Sequence, residues 1–339
     1  MCNRNTIDSS PTIRIMRPRL SCRKKRPGPY TDPGLTHGRK LLETFIDASF
    51  GEGLGLRTYK VHVPKGYRGQ SLPLLVMLHG CTQDPDDFAA GTRMNPLADR
   101  HACFVLYPCQ ALFANPSKCW NWFNPADQQR DAGEPAILAG MTREVIRAYH
   151  IDDTQVFIAG MSAGAAMAVI MAASYPEVYA AVGAHSGLAY RSAQNMLSAM
   201  DTMRNGAANL PLLGVAGIPI IIFQGEHDQI VNPRNSEQIV SQWLQSHPQA
   251  GSIVREEETG ESNGRAYART QYRETRGVVA EHWLVKQSGH AWSGGSTSGS
   301  YADPQGPEAS REMLRFFLGV RRRSSLLSRL IRSIKSSQE

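Results

Sequence analysis

A serine flanked by glycines stands near the middle of the chain, between a hydrophobic segment and a stretch of small residues. The pentapeptide Gly160–Gly164 has the pattern G-x-S-x-G, with Ser162 at its centre. The apolar run 156–159 predicts a strand before it, and residues 165–169 predict a helix after it. In such a turn the serine hydroxyl is exposed, and the glycines keep strand and helix from clashing with it. Ser162 is therefore a predicted nucleophile.

A serine nucleophile needs a general base, and the base needs a carboxylate that orients it. Asp228 follows the buried apolar run 219–223, and His290 follows the strand predicted at 282–285. Serine, acid and histidine then occur in the chain order that a G-x-S-x-G nucleophile requires. All three groups come after strands, so we expect them to meet at one edge of the sheet.

Other residues compete for the roles of acid and base, and Asp228 could also serve only to cap its loop. His227 directly precedes the predicted acid and is expected to point away from it. His185 follows a different strand and is expected to pack or bond structurally. We therefore predict Asp228 as the acid and His290 as the base. The competing residues are Glu226 for the acid and His227, His282 and His185 for the base.

Acyl transfer also needs backbone donors for the oxyanion of the tetrahedral intermediate. One donor is expected from Ala163, the residue after the nucleophile, at the start of its helix. The other is expected from the loop after an earlier strand, and the apolar run 74–78 is followed by His79-Gly80-Cys81. The Cys81 N–H is the predicted second donor, a role that depends on backbone position and not on the thiol.

These motifs belong to a series of short segments spread along the chain. In order they are Leu78-His79-Gly80-Cys81-Thr82-Gln83, Tyr107-Pro108, Cys119-Trp120-Asn121-Trp122-Phe123, Gly160-Met161-Ser162-Ala163-Gly164, His185-Ser186-Gly187, Gly225-Glu226-His227-Asp228 and Gly289-His290-Ala291-Trp292. With them, the chain from about Phe45 to Leu318 resembles the polyhydroxybutyrate (PHB) depolymerase family of esterases, related to feruloyl and acetylxylan esterases. The resemblance implies an α/β-hydrolase fold, the same three catalytic residues, and action on esters of hydroxyalkanoic acids.

The aromatic segment 120–123 allows two interpretations. Aromatic side chains most often pack in a core or against a loop. The resemblance places the segment near the substrate crevice, where a flat indole could cover an apolar acyl unit. Tryptophans at i and i+2 point the same way only in an extended chain. We expect at least one of Trp120 and Trp122 to contact substrate, with packing as the alternative.

Hydrophobic runs alternate with helical stretches such as 141–149, which predicts a mostly parallel sheet with helices on both faces. With 339 residues and 41% hydrophobic content, the chain can bury one large core in a single α/β domain. No run of about 18 apolar residues occurs, which excludes a transmembrane helix. The predicted strands are Thr58–Val63, Leu74–Leu78, Cys103–Tyr107, Gln155–Ala159, Ala180–Ala184, Pro219–Phe223 and His282–Val285.

Positive charge is concentrated at the two ends of the chain, whose formal net charge is +7. Residues 1–40 carry ten Lys/Arg and two Asp, and residues 321–339 carry six Lys/Arg and one Glu. The predicted catalytic domain, residues 41–320, is therefore mildly acidic, at −6. A nucleic-acid-binding protein would carry a basic footprint on its folded surface. Nucleic acid is therefore not an expected partner.

The two basic tails differ in pattern. Residues 1–40 are predicted to be disordered and lack the apolar region of a secretory signal, which favours a cytoplasmic location, although the resembled family includes secreted members. Residues 321–339 place apolar side chains on one helical face and basic ones elsewhere, as in helices that contact an anionic membrane or a polymer granule. A helix docked on its own domain or frayed in solvent is the alternative. The apolar residues are Leu326, Leu327, Leu330, Ile331 and Ile334.

The chain holds six cysteines, whose spacing is not that of a zinc ribbon or finger. We expect no metal and no other cofactor. Cys103 falls in a predicted strand and is expected in the core. Cys81 and Cys119 fall in active-site loops, where they could form a disulfide in an oxidising compartment or remain thiols in the cytosol.

The expected function is that of a serine esterase acting through a Ser-His-Asp acyl-enzyme mechanism. Its expected substrates are short-chain polyhydroxyalkanoate or hydroxybutyrate esters or oligomers, and we expect soluble or amorphous esters because no polymer-binding domain is visible after Leu318. A feruloyl or acetylxylan-type carbohydrate esterase is the alternative. A peptidase of the prolyl-oligopeptidase type would need a large gating domain, and an inactive binding module would not need the complete triad.

Overall fold

The computed structural model describes residues 44–214, 217–248, 250–275 and 277–322. The predictions for the N-terminal tail and for the apolar face 326–334 lie outside the described residues. The strands are β1 Phe45–Phe50, β2 Arg57–His62, β3 Leu72–Leu78, β4 Phe104–Pro108, β5 Ile151–Met161, β6 Ala181–His185, β7 Ile220–Gly225, β8 Val254–Ser262, β9 Arg265–Glu274, β10 Gly277–Val285, β11 Trp292–Ser293 and β12 Ala302–Asp303. The α-helices are α1 Pro85–Thr92, α2 Met94–His101, α3 Gly133–Ala148, α4 Ala163–Ser174, α5 Met196–Asn205, α6 Arg234–Gln245 and α7 Ala309–Leu318.

Ten of these strands form one sheet in the order β1-β2-β4-β3-β5-β6-β7-β10-β9-β8. The central strands from β4 to β10 run parallel to one another. The strands at both edges pair antiparallel. The predicted mostly parallel sheet is confirmed. Its carboxyl ends lie along one edge, where binding and catalytic groups of open α/β sheets collect.

The sequence does not predict the edge strands β1, β8 and β9, and it places several boundaries wrongly. β8 is exposed along most of its length, and Val254 is its only apolar residue. Polar cross-strand pairs join it to β9 instead, such as Glu258 and Arg269 with a carboxylate–guanidinium distance of 2.6 Å. Such a strand shows no alternation of apolar and polar residues. Helix α3 also begins well before the predicted start at residue 141.

Side chains of the central strands alternate between two hydrophobic cores, one on each face of the sheet. Leu74 and Val76 of β3 pack into the core that α3 and α4 cover. Leu75 and Met77 pack into the core that α1, α2 and α7 cover. This alternation is the period of two that a strand imposes on its side chains. The prediction of helices on both faces is therefore confirmed.

Helix α4 is almost entirely buried and consists mainly of alanine and other small or apolar residues. A helix that is apolar all round lies in the core of a large domain or within a membrane. Helix α4 has 12 residues and contacts β5 and β6. Across the part of the chain that the structure describes, no helix is both long and apolar enough to span a bilayer.

Two glycines allow β5 to turn sharply into α4. A Cβ atom at Gly160 would lie 2.5 Å from the carbonyl of Gly164. A Cβ atom at Gly164 would lie 2.1 Å from the Leu78 carbonyl oxygen at the end of β3. Both distances are shorter than any real contact, and the opposing atoms belong to the backbone. The turn therefore has no room for a side chain at either position.

We expect Gly164→Ala to lower the free energy of unfolding by about 1–3 kcal/mol or more, because the added methyl group would displace two backbone carbonyls. Urea unfolding followed by tryptophan fluorescence measures the change. Gly55→Ala is the matched control, since a Cβ atom there meets nothing within 4 Å. Equal unfolding midpoints for wild type and Gly164→Ala would contradict the tight turn.

Candidate active site

Ser162 lies at the apex of the turn from β5 to α4, with φ 56° and ψ −122°. A positive φ is uncommon for a residue other than glycine, and the surrounding structure must hold it in place. The Ser162 N–H donates to the His185 carbonyl at 2.9 Å, and the Ser162 carbonyl accepts from the Ala166 N–H at 3.0 Å. The turn places Ser162 on the wall of a pocket.

The structure brings Asp228 and His290 together. Strands β7 and β10 are parallel neighbours, so the loops that follow them lie side by side. His290 Nδ1 lies 2.8 Å from Asp228 Oδ2. Because an ionised carboxylate only accepts, Nδ1 carries the ring proton, and Nε2 of the neutral ring is left as an acceptor. His290 lines the same pocket as Ser162.

Donors hold both carboxylate oxygens of Asp228. Its Oδ1 accepts from the N–H groups of Ile230 at 2.9 Å and Val231 at 2.8 Å, and its Oδ2 also accepts from Gln224 Nε2 at 3.2 Å. Burial alone would raise the pKa of this carboxyl. The hydrogen bond and charge of His290, together with the two backbone donors, outweigh burial and lower the pKa below its ordinary value. The carboxylate therefore stays ionised beside His290.

The competing residues make other contacts. Glu226 accepts from Lys286 Nζ at 2.8 Å, so it does not orient the histidine. The side chain of His227 is 64% exposed. His282 Nε2 lies 3.0 Å from Ser236 Oγ. Of the competing acids and histidines, the structure thus pairs Asp228 with His290.

His185 is buried and bonded, in agreement with its predicted structural role. Its Nε2 accepts from the Ser293 N–H at 3.0 Å, and its Nδ1 lies 3.1 Å from Ser186 Oγ. Burial lowers the pKa of His185 to about 3, and the nearby charge of His290 adds to the effect. The neutral ring thus joins the segment after His290 to the end of β6. The backbone carbonyl of His185 accepts the hydrogen bond from the Ser162 N–H.

A pocket of about 240 Å³ opens at Ser162 and His290, with mainly apolar walls. Met203 of α5, Ile230 and Tyr301 form part of these walls. Ile230 and Tyr301 are 50% and 47% exposed, so the pocket is open to the surface. An apolar cleft with a few convergent polar groups is the usual form of a small-molecule site.

Ala163 provides a backbone donor next to Ser162. It is the first residue of α4, so its N–H has no acceptor within the helix. The amino end of a helix also carries partial positive charge, which favours an anion at this position. The position of Ala163 therefore suits the oxyanion role that the sequence predicts.

Cys81 lies in the loop after β3 and lines the same pocket. The N–H groups on both sides of it are engaged: Gly80 donates to Gln83 Oε1 at 2.9 Å, and Thr82 donates to the Ser117 carbonyl at 2.7 Å. Within the described ranges, the Cys81 N–H donates to no protein acceptor. It is therefore available to an oxygen atom bound in the pocket.

Cys81 and Cys119 form a disulfide in the structure. The sequence leaves open whether these two cysteines are bonded or remain thiols. The bond joins the loop after β3 to the segment that begins the tryptophan motif. Cys103 is a buried thiol in the core, as predicted. Disulfides are typical of oxidising compartments.

Trp120 and Trp122 lie in the hydrophobic core and not on the pocket wall, which corrects the expected substrate contact. They are only 1% and 5% exposed. The Trp120 indole N–H donates to the His79 carbonyl at 3.1 Å, and the Trp122 ring packs edge-on against Phe123. A buried indole needs a partner for its N–H, and here the partner is the backbone of the Cys81 loop.

Comparison with known families decides the assignment. Residues 57–263, more than half of the chain, match the family described as Esterase PHB depolymerase. The chain belongs to the esterase PHB depolymerase family. The resemblance predicted from the short motifs is thereby confirmed.

Curated relatives of this chain are enzymes named for different substrates. The chain is 35% identical over 213 residues to poly(3-hydroxyalkanoate) depolymerase C of Paucimonas lemoignei, covering 59% of this chain and 51% of that protein. It is 30% identical over 188 residues to feruloyl esterase B of Neurospora crassa, covering 50% and 63% of the two chains. The chain thus spans roughly half of the length of the curated relatives it matches.

Solved structures share the fold of this PHB depolymerase family member. Acetyl xylan esterase from Aspergillus awamori is 20% identical, with a TM-score of 0.61 over 73% of this chain and 93% of that one. Acylaminoacyl peptidase of Pyrococcus horikoshii is 13% identical, with a TM-score of 0.52 over 84% of this chain and 43% of that one. At these identities the likeness shows the fold alone. The predicted α/β-hydrolase fold is confirmed.

The sequence does not predict the role of Gln83 in this family member's site. Gln83 Nε2 donates to Asp87 Oδ2 at 3.0 Å and to the Ser300 carbonyl at 3.1 Å, while its Oε1 holds the Gly80 N–H. Gln83 thus ties the Cys81 loop to a segment distant in the chain. It belongs to a recognised motif, but its role depends on Ser300, whose proximity only the fold creates.

Proposed function

We propose that this protein is a serine esterase that hydrolyses carboxylic esters through an acyl-enzyme intermediate. The observation that carries the proposal is the contact between Asp228 and His290 on the wall of the pocket that Ser162 also lines. Ser162 is the nucleophile, His290 the general base, and Asp228 the acid that fixes the tautomer of His290. The family assignment supports the same chemistry.

In the proposed reaction, Ser162 Oγ attacks the ester carbonyl while His290 Nε2 takes the hydroxyl proton. The carbonyl oxygen becomes an anion that accepts from the N–H groups of Cys81 and Ala163. Collapse of this intermediate breaks the ester C–O bond, and the leaving alcohol receives the proton from His290. Water then attacks the acyl-enzyme by the same steps, which releases the acid and restores Ser162.

We propose short-chain hydroxyalkanoate esters or oligomers as the substrates. The apolar walls contributed by Met203, Ile230 and Tyr301 suit a short acyl chain more than a charged or strongly hydrated one. The relative from Paucimonas lemoignei, named for a poly(3-hydroxyalkanoate), supports this class. Substrate class depends on the pocket and not on the triad, which many ester hydrolases share.

A carbohydrate esterase of the feruloyl or acetylxylan type is the second candidate, supported by the relative named feruloyl esterase B. A panel of hydroxybutyrate oligomers, feruloyl esters and acetylated sugars distinguishes the two by kcat/KM. We expect the hydroxybutyrate oligomers to be hydrolysed at least about tenfold more efficiently, a difference of about 1.4 kcal/mol in transition-state binding. The reverse order would assign the protein to the carbohydrate esterases.

Replacement of the nucleophile gives the first kinetic prediction. Ser162→Ala should lower kcat for a short-chain nitrophenyl ester by roughly 10⁴ to 10⁶, because the acyl-enzyme no longer forms. Its unfolding midpoint should stay near that of the wild type, since the turn depends on the backbone and on the two glycines. Turnover close to the wild-type rate in purified Ser162→Ala would remove Ser162 from the mechanism.

Replacement of the acid gives the second kinetic prediction. Asp228→Asn should lower kcat by roughly 10⁴, because an amide favours the wrong tautomer of His290. Glu226→Gln is the matched control and should have little effect, since Glu226 pairs with Lys286. A severe loss in Glu226→Gln together with an active Asp228→Asn would show that the acid is misassigned.

The rate should also fall on the acid side of the pH profile, because only a neutral imidazole accepts the serine proton. Two other histidines near the site do not contribute to this limb. Burial lowers the pKa of His185 to about 3 and that of His79 to about 4, so both are neutral across the working range.

The charge pattern of residues 321–339 supports a separate proposal, that this segment holds the enzyme on an anionic membrane or granule surface. Each Lys or Arg near such a surface contributes about 1 kcal/mol. Deletion of residues 321–339 should then reduce sedimentation with anionic vesicles, most at low salt, without changing hydrolysis of a soluble ester. Equal sedimentation of both proteins would exclude the attachment, and a large fall in thermal stability would show docking on the hydrolase domain.

A further inference from the structure

Glu134 is a buried carboxylate that the proposed mechanism does not use. It lies in the first turn of α3 and is 3% exposed. Its Oε2 accepts from the Asn121 N–H at 2.8 Å, and its Oε1 accepts from Asn121 Nδ2 at 2.8 Å and from Gln110 Nε2. Its own N–H donates to Asp127 Oδ1 at 2.7 Å, which fixes the start of the helix. Both residues that Glu134 holds, Gln110 and Asn121, belong to segments that are bonded to the Cys81 loop.

One chain of hydrogen bonds leads from Glu134 to Gly80 through Gln110 and His79. The backbone N–H of Gln110 donates to His79 Nε2 at 3.1 Å. Nδ1 of the same ring therefore carries the proton and donates to the Gly80 carbonyl at 2.7 Å. Burial lowers the pKa of His79 to about 4, so the neutral ring that this arrangement requires persists at working pH.

A second chain of hydrogen bonds leads from Glu134 to Thr82 through Asn121. Asn115 Nδ2 donates to Asn121 Oδ1 at 2.9 Å, and Asn115 Oδ1 accepts from the Ser117 N–H at 2.9 Å. The Ser117 carbonyl then accepts from the Thr82 N–H at 2.7 Å. Both chains thus end on Gly80 and Thr82, the residues that flank Cys81. The Cys81–Cys119 disulfide also joins the loop after β3 to the segment that contains Asn121.

We propose that Glu134 is a positioning residue that sets the place of the Cys81 N–H in the oxyanion hole. The inference rests on the proposed function, since it assigns a task to that donor. Through the two chains, Glu134 orders the residues on both sides of Cys81, and it does not touch the reacting atoms. A donor shifted by a fraction of an ångström stabilises the oxyanion less and leaves ground-state binding almost unchanged.

The contacts of Glu134 require a carboxylate and not an amide. The Glu134 side chain accepts three hydrogen bonds and donates none. A glutamine has only one side-chain oxygen, and its N–H₂ group would face one of the donors. Burial raises the pKa of Glu134 to about 7, and the negative charge of Asp127 adds to the rise. The hydrogen bonds from Gln110 and Asn121 lower the pKa, but by less. Arg57 adds a basic group to this cluster, since its Nε donates to Gln110 Oε1 at 3.1 Å. Assays at about pH 8.5 therefore compare the variants with an ionised Glu134.

Glu134→Gln should lower kcat for a nitrophenyl ester by roughly 10- to 100-fold, with KM within about threefold of wild type. Its inhibition constant for an alkylboronic acid, whose oxygen occupies the oxyanion position, should rise in parallel with the loss of kcat/KM. Glu281→Gln is the matched control. Glu281 is also fully buried and accepts from Gln271, Trp283 and Arg315, but it lies in β10 before the site. This control should lose stability without losing kcat.

A second substitution tests the same contact by rescue. Asn121→Asp supplies an acceptor opposite the amide of Glu134→Gln and retains the oxygen that accepts from Asn115. The kcat of the double variant should be at least about threefold higher than that of Glu134→Gln alone. Such a non-additive result is expected of residues in contact or in one hydrogen-bond network. Recovery of stability without recovery of kcat would overturn the positioning role.

The inference is overturned if Glu134→Gln keeps wild-type kcat and boronic acid affinity and loses only stability, as Glu281→Gln does. If Glu134→Gln does not fold, His79→Asn replaces it, because this change cuts the link to Gln110 and leaves the bonds of Glu134 intact. Normal kcat in folded His79→Asn would overturn the inference equally. An inactive wild type would instead overturn the proposed function, so the two failures are distinguishable.

Discussion

The hydrogen bond between Asp228 and His290 is the contact on which the candidate site depends. It exists because β7 and β10 are parallel neighbours, so that two loops far apart in sequence leave the sheet side by side. The bond keeps Asp228 ionised despite its burial and gives the ring of His290 one tautomer. The strained turn at Ser162 is then useful, because an exposed hydroxyl without an oriented base is a weak nucleophile.

Buried polar groups surround the site and hold its loops. His79 and His185 are both neutral because of burial, and each accepts a backbone N–H from a neighbouring loop through Nε2. The Glu134 carboxylate accepts from Gln110 and Asn121, whose segments are bonded to the loop that carries Cys81. Polar groups without partners are costly inside a protein, so each of these networks fixes one arrangement of its loops. The candidate catalytic groups are thus surrounded by side chains that hold loops without lining the pocket.

The sequence predicts the central sheet and the pairing of Asp228 with His290, because both follow from local patterns. Apolar runs mark buried parallel strands, and the candidate residues come directly after them. The exposed strand β8 leaves no such pattern, since charged pairs across to β9 replace a buried face. The sequence predicts substrate contact for at least one of Trp120 and Trp122, because proximity to the site and contact with it look alike in one sequence. Gln83 and Tyr301 act through contacts that only the folded chain creates.

Covalent labelling of the folded protein tests the central claim most directly, namely that base, acid and oxyanion donors together activate Ser162. A fluorophosphonate reacts rapidly with a serine only where such groups are in place. We expect the intact mass to increase by one label, and the peptide that contains Ser162 to carry it after digestion. Heat-unfolded protein should take up none. An unlabelled folded protein, or a label on a residue other than Ser162, would contradict this account of the site.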